Sequence, residues 1–306
     1  MTGVVDALAP APAPARPAPA AAARRAARSG LRAYGMLTSP LRPAPDFLII
    51  GTKRGGTTSM MRYLLAHPDV TRLFPSNVAP KGVRYLDRNY ARGDRWYRSH
   101  FATVLRRGGR SSPRRLAGEA TVDYLFHPFA AERASRACPD ARIIVLLRDP
   151  VARAWSHWRE RTRRGTETLS FEDALAAELD RLGPEDERLR ADPHYVADVR
   201  ENCSYRAQGV YADLLPAWLE RYPSERVLVV LSEDLYRDPA AVYGRVLAFL
   251  DLRAFRPPAF DAHNFHPARG AMDEETREEL TAYYRPHNRR LASMLGLALP
   301  WAGAAE

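Results

Sequence analysis

Phe47-Leu48-Ile49-Ile50-Gly51-Thr52-Lys53-Arg54-Gly55-Gly56-Thr57-Thr58-Ser59-Met60-Met61-Arg62-Tyr63-Leu64 is the stretch on which the fold turns. Four consecutive apolar residues running into a glycine predict a buried strand. Gly51 to Gly56 predicts a tight loop, and Thr57 to Ala66 a helix. Strand, glycine loop and helix together form an anion cradle. Glycines let successive N–H groups turn inward, the helix N-terminus adds partial positive charge, and Thr57 and Thr58 add hydroxyl donors. Lys53 and Arg54 supply full charges. The nucleotide-binding P-loop is G-x-x-x-x-G-K-[ST]. Gly51, Gly56 and Thr58 keep its spacing, but Thr57 stands at the lysine position, and the cations precede the glycine pair.

A second constellation lies about ninety residues downstream. Ile143 to Leu147 predicts another buried strand, ending at Arg148-Asp149-Pro150, and a helix follows from Pro150 to Arg163. An arginine at the carboxyl end of a buried strand sits where open α/β sheets bind ligands. Ser156, eight residues on, faces the same region from the helix, and the pair predicts a clamp for one phosphate.

Outward from these two motifs, strands alternate with helices. Lys81 to Leu86 reads as a short extended segment and Trp96 to Phe101 as a helix. Phe171 to Leu182 and Gln208 to Arg221 read as helices, with a polar loop over Gly183 to Cys203. Arg226 to Leu231 is a third strand, Asp234 to Leu250 is a helix interrupted by or starting after Pro239, and Asp273 to Leu295 is helical. The pattern predicts an α/β fold: a P-loop-like three-layer sandwich with a central, mostly parallel sheet flanked by helices. Residues 46–306 are expected to form one domain. Residues 1–45, rich in Ala, Pro and Arg, are expected to be a disordered tail in which Ala23 to Ala33 could form a basic helix.

Composition narrows the function classes. The 306 residues are 46% hydrophobic, enough for a sizeable core. Cys138 and Cys203 cannot build a disulfide scaffold or a four-thiolate zinc site. No apolar run approaches the ~20 residues of a membrane span, and no secretory signal is evident, so a cytoplasmic location is expected. Net charge is +10, which favours anionic partners without choosing among them. Of the 46 basic residues only Lys53 and Lys81 are lysine, and both fall in motif segments. Lysine is a compact charge where arginine is a planar fork. The histidines are scattered without metal-ligand spacing, so no metal is expected.

Phe47 to Leu64 resembles the 5′-phosphosulfate loop of sulfotransferases that use 3′-phosphoadenosine 5′-phosphosulfate (PAPS), above all the heparan-sulfate-type carbohydrate sulfotransferases and their bacterial relatives. Their pattern is a strand, then Lys-Gly-Gly-Thr and a helix. Here Arg54 stands at that lysine with Lys53 beside it, which leaves both as candidates for the leaving phosphate. Arg148 and Ser156 match the family's 3′-phosphate motif. Lys81-Gly82-Val83-Arg84-Tyr85-Leu86-Asp87 resembles Lys-Glu-x-x-Phe-Phe-Asp, which carries the catalytic base. Lys81 and Asp87 match, but the glutamate is Gly82. Gly118-Glu119-Ala120-Thr121-Val122-Asp123-Tyr124 resembles Gly-Glu-Lys-Thr-Pro-x-Tyr, with Ala120 for the lysine. Arg269 is the candidate for a Lys-Gly-Arg loop that closes over PAPS. The resemblance runs from about residue 46 to 301.

The resemblance implies sulfuryl transfer from PAPS to a hydroxyl or amine of an acceptor, a saccharide or small molecule, with no nucleic-acid partner. Lys53, Arg54, Lys81, Asp87 and Glu119 are the candidate catalytic residues. Arg54, Gly55, Gly56, Thr57, Thr58, Arg148, Ser156 and Arg269 are the candidate donor-binding residues. Candidate bases are Asp87, then Glu119, with Asp123 and His127 behind them. The rivals are a P-loop nucleotide kinase and a non-catalytic protein that keeps the PAPS fold. Arg161, Arg163 and Arg164 are candidates for an acidic saccharide, and Trp96 and Tyr97 for sugar stacking. Oligomeric state leaves no signal in the sequence.

Overall fold

The computed structural model describes residues 19–75, 82–108, 114–261 and 270–301. Five strands build the sheet: β1 Phe47–Gly51, β2 Val70–Thr71, β3 Leu116–Ala120, β4 Arg142–Leu147 and β5 Val227–Leu231. Their order is β2-β3-β1-β4-β5, and every pairing is parallel. A parallel sheet needs crossovers that cover both faces, so its strands read as unbroken apolar runs. Alternate residues of β1 and β4 accordingly enter opposite layers. Leu48, Ile50, Ile143, Val145 and Leu147 join one core cluster. Phe47, Ile49, Ile144 and Leu146 join the other. The expected three-layer sandwich is present.

Helix α1 (Pro19–Leu37) precedes the sheet and α2 (Thr57–Ala66) follows β1. Short helices α3 (Tyr85–Arg88) and α4 (Gly93–Arg98) lead to β3, and α5 (Ala130–Ala137) lies before β4. Helix α6 (Pro150–Arg163) has its expected limits. Asp149 starts it by accepting the Val151 N–H at 3.0 Å.

Several expected elements differ. Phe171–Leu182 breaks at Ala177 into α7 (Phe171–Ala176) and α8 (Glu178–Ala191). The expected loop at Gly183–Cys203 is largely helical, because α8 runs through Pro184 and α9 spans Asp198–Cys203. Leu182, Glu185 and Leu189 are buried at helical spacing, which offsets the cost of an interior proline. Pro216 divides the next segment into α10 (Tyr211–Leu214) and α11 (Pro216–Leu219). The interruption expected at Pro239 is present: Asp238-Pro239 divides α12 (Ser232–Arg237) from α13 (Pro239–Phe249), with the Asp238 carboxylate capping Ala241 N at 2.9 Å. Helix α14 (Glu274–Leu295) closes the described fold.

The tail boundary at residue 45 is also set too late. The Tyr34 ring meets Phe74 edge-on at 5.9 Å. Ser39 is buried, and the Arg42 guanidinium lies 4.5 Å over Phe74 while donating to the Phe101 carbonyl. Apolar and cation–π contacts thus hold this segment against the body.

Gly118 shows how tightly β3 meets β1. A Cβ at this position would lie 2.4 to 2.5 Å from three atoms of the Phe47 ring. Gly118→Ala is therefore expected to destabilise the fold by about 1–3 kcal/mol, read from urea unfolding.

Candidate active site

Strands β1 and β4 are neighbours, and Thr52 N donates to Leu146 O at 2.8 Å, so both motifs leave the sheet side by side. The loop turns through two left-handed residues, Arg54 (φ 71°) and Gly56 (φ 87°). The Gly55 carbonyl accepts the Ser232 hydroxyl at 2.9 Å, which ties the loop to the start of α12. Gly56 caps α2 without a side-chain bond. The first N–H groups of a helix have no intrahelical acceptor, so Gly56 to Thr58 present donors to an anion.

The two loop cations diverge. Arg54 Nε donates to Ser156 Oγ at 2.9 Å, and Arg148 Nη1 donates to the Arg54 carbonyl at 3.0 Å. The Tyr211 hydroxyl holds the Arg148 carbonyl at 2.9 Å. Arg54, Arg148 and Ser156, drawn from two motifs about ninety residues apart, therefore converge. Burial lowers the Arg54 pKa; Glu160 works against this, and Arg148 and Arg163 add to it. A half-buried cation crowded by other cations favours an anionic ligand.

Lys53 turns the other way. Its Nζ lies 2.9 Å from Asp123 Oδ1 and donates to the Glu201 carbonyl at 2.5 Å. Asp123 opens a network of three acids and three cations. Carboxylate oxygens of Asp87, Asp123 and Glu201 lie within 4.8 Å of one another. Arg84 Nη2 reaches all three, at 2.5, 3.1 and 2.6 Å. Arg88 Nη2 holds Glu201 Oε2 at 2.5 Å. Charge balance by Lys53, Arg84 and Arg88 makes this trio an ion-pair network.

The pKa shifts follow from that arrangement. Burial alone would lower the Arg84 value, but Asp87, Asp123 and Glu201 outweigh it and raise the guanidinium above its ordinary value. Burial pushes Asp87 up to about 6 against the pull of Arg84. Asp123 ends below the ordinary carboxylate range: burial opposes ionisation, and Lys53 and Arg84 override it.

Glu119 lies under this network. It is fully buried and accepts from Val83 N (2.6 Å), Tyr97 Oη (2.7 Å), Thr121 Oγ1 (2.8 Å) and Tyr124 Oη (2.9 Å). Burial raises its pKa and these donors oppose the rise. Four donors on one carboxylate make Glu119 the anchor of the 83–85 segment, in place of the catalytic part expected for it. Tyr97 is also a core residue, 1% exposed and stacked on Tyr85 at 4.3 Å. It offers no face to a sugar. Arg161 is engaged by Glu160 at 2.7 Å and Asn202 at 2.6 Å, and Arg164 pairs with Glu160.

Lys81 and Arg269 lie outside the described residues. Thr57 is buried at the start of α2 beside Thr58. Arg84, Arg88 and Glu201 are the network residues that sequence reading did not single out, and Glu201 lay outside every motif segment. It sits in α9, six polar-rich residues without apolar periodicity, so no local signal marks it. A cavity of about 570 Å³ opens at the amino ends of the strands near Asp46, Arg142 and Arg226. The motifs stand at the opposite, carboxyl ends.

His157, next to Ser156, is fully buried, and neither ring nitrogen has a hydrogen-bond partner among the described residues. Burial, then Lys53, Arg153, Arg161 and Arg54, hold its pKa well below the usual histidine value. The unfolded chain takes up this proton below about pH 6.5 and the folded chain does not. Stability from this group is thus present above that pH and is lost as pH falls. His157→Phe is expected to gain stability relative to wild type by up to ~1.4 kcal/mol per pH unit below pH 6.5, measured by urea unfolding between pH 7 and 5.

Comparisons with known proteins agree with this geometry. The sulfotransferase domain family profile matches residues 44–262. Mouse heparan sulfate glucosamine 3-O-sulfotransferase 6 is 31% identical over 284 residues, covering 84% of this chain and 73% of that protein. Human bifunctional heparan sulfate N-deacetylase/N-sulfotransferase 3 is 28% identical over 285 residues, covering 82% of this chain and 30% of that protein. Among solved structures, a sulfotransferase from Alicyclobacillus acidocaldarius is 32% identical, with a TM-score of 0.62, covering 85% of this chain and 99% of that one. A phosphate loop without the kinase lysine, a strand-end arginine linked through Arg54 to a helix serine, and these similarities place the chain in the sulfotransferase family, as a sulfotransferase enzyme.

Proposed function

We propose that the enzyme transfers a sulfuryl group from PAPS to a hydroxyl or amine of a saccharide acceptor. The observation that carries this reading is the convergence of Arg54, Ser156 and Arg148 behind the glycine loop. Arg148 and Ser156 hold the 3′-phosphate and set the register. The N–H groups of Gly56 to Thr58, with Lys53 and Arg54, hold the 5′-phosphosulfate and stabilise charge developing on the leaving phosphate. Lys81 and Arg269 are assigned to the same donor by their motif positions. The acceptor class rests on the heparan sulfate relatives, one named for O- and one for N-sulfation. No helix among the described residues is long and apolar enough to cross a membrane. The cytoplasmic location expected from the sequence belongs to this reading and is tested by cell fractionation.

The test is transfer from radiolabelled PAPS, with EDTA present, to glucosamine-containing oligosaccharides and to simple phenols. Label on the oligosaccharides supports the reading. Label on phenols alone overturns the acceptor class, and donor binding without transfer to any acceptor favours a non-catalytic binder.

A further inference from the structure

Glu119, Asp87, Glu201 and Asp123 differ in what holds their oxygens. Both Glu119 oxygens take donors from the protein interior. Asp87 Oδ2 accepts from Arg84 Nε at 2.9 Å and Nη2 at 2.5 Å, and its Oδ1 accepts the Arg88 N–H at 2.9 Å. Glu201 Oε1 and Oε2 are taken by Arg84 and Arg88. Asp123 is divided: Oδ2 is held by Arg84 at 3.1 Å, while Oδ1 faces Lys53 at 2.9 Å and is otherwise without a hydrogen bond among the described residues. One oxygen is anchored to the scaffold, and the other is covered by a cation of the phosphate loop.

We propose that Asp123 accepts the proton of the acceptor, and that Lys53 covers its Oδ1 until the negative charge of the donor draws the ammonium away. The inference rests on the PAPS reading, because only an anionic donor competes with Asp123 for Lys53. Once Lys53 has moved, Oδ1 is bare and the carboxylate has lost its nearest cation, so its proton affinity rises when a base is needed. The acceptor oxygen or nitrogen then forms a bond to sulfur with its lone pair. The bond from sulfur to the 5′-phosphate oxygen breaks, the electron pair leaves on that oxygen, and the acceptor proton goes to Asp123 Oδ1. Sulfated acceptor and 3′-phosphoadenosine 5′-phosphate result, and Asp123 returns its proton to solvent. The charged and titratable groups facing Asp123 are Lys53 from the loop, Arg84 before α3, Asp87 and Arg88 from α3, Glu201 from α9, and His127 after β3.

The experiment compares Asp123→Asn with wild type, using the full chain. The variant is expected to bind 3′-phosphoadenosine 5′-phosphate within about threefold of wild type, to lose ~10²–10⁴-fold in kcat, and to lose the acid limb of its pH–rate profile. In wild type that limb is expected at higher pH in kcat than in kcat/KM, since only the complex has moved Lys53 off Asp123. Asp123→Glu keeps a carboxylate and is expected to keep the limb at reduced kcat, which covers the case of an unstable asparagine variant. A kcat within about threefold of wild type for Asp123→Asn, an unchanged acid limb, or a parallel loss of nucleotide binding would overturn the assignment. If wild type itself does not bind the nucleotide, the PAPS reading fails instead.

Discussion

Arg148→Ala is expected to weaken binding of 3′-phosphoadenosine 5′-phosphate roughly 10²-fold, about 2.8 kcal/mol, in a calorimetric titration. The side chain leaves the end of β4 and donates to the Arg54 carbonyl, while Tyr211 fixes its own carbonyl. Removing it therefore takes away a charge and also loosens the loop residue that reaches Ser156. The loss is expected to shrink for adenosine 5′-phosphosulfate, which lacks the 3′-phosphate. Arg226→Ala, at the amino end of β5, is the control and should bind as wild type does. Equal losses with and without the 3′-phosphate would assign Arg148 to loop structure alone.

Gly82→Glu, which restores the glutamate of the resembled Lys-Glu-x-x-Phe-Phe-Asp segment, is expected to cost roughly 3 kcal/mol of stability and to give no gain in rate. A Cβ at Gly82 would sit 2.5 Å from the Ala120 carbonyl oxygen and 2.6 Å from Thr121 Oγ1. The backbone there cannot give way cheaply, because Val83 N is bonded to Glu119 and Arg84 already adopts a left-handed conformation. A second carboxylate would also approach buried Glu119, and like charges at low dielectric repel strongly. Urea unfolding and the transfer rate check both halves. A variant as stable as wild type and faster than it would show that this site still accommodates the family's base.

These two residues mark what sequence could and could not carry. Strands β1 and β4 were legible because burial on both faces leaves unbroken apolar runs, and α6 because Asp149-Pro150 writes its start in local chemistry. Strand β3 was not legible as a strand. Leu116–Ala120 holds Gly118 and Glu119, and its place in the sheet comes from the Phe47 ring and the buried donors on Glu119, which are tertiary facts. Lys53 and Arg54 were legible as cations, but their opposite directions depend on the left-handed turn at Arg54. Glu201 and Asp123 come together only when α9 packs against the loop, so sequence favoured Asp87 and Glu119, which match family motifs. The structure fills the oxygens of those two with protein donors.

Titration of the wild-type chain with 3′-phosphoadenosine 5′-phosphate, with ADP and with magnesium ATP bears most directly on the central claim, that Arg148, Ser156 and the glycine loop form one site for a 3′-phosphorylated donor. The expected result is micromolar binding of the 3′-phosphorylated nucleotide, unchanged by EDTA, with ADP at least tenfold weaker. Tighter binding of magnesium ATP, or equal binding of ADP, would contradict it.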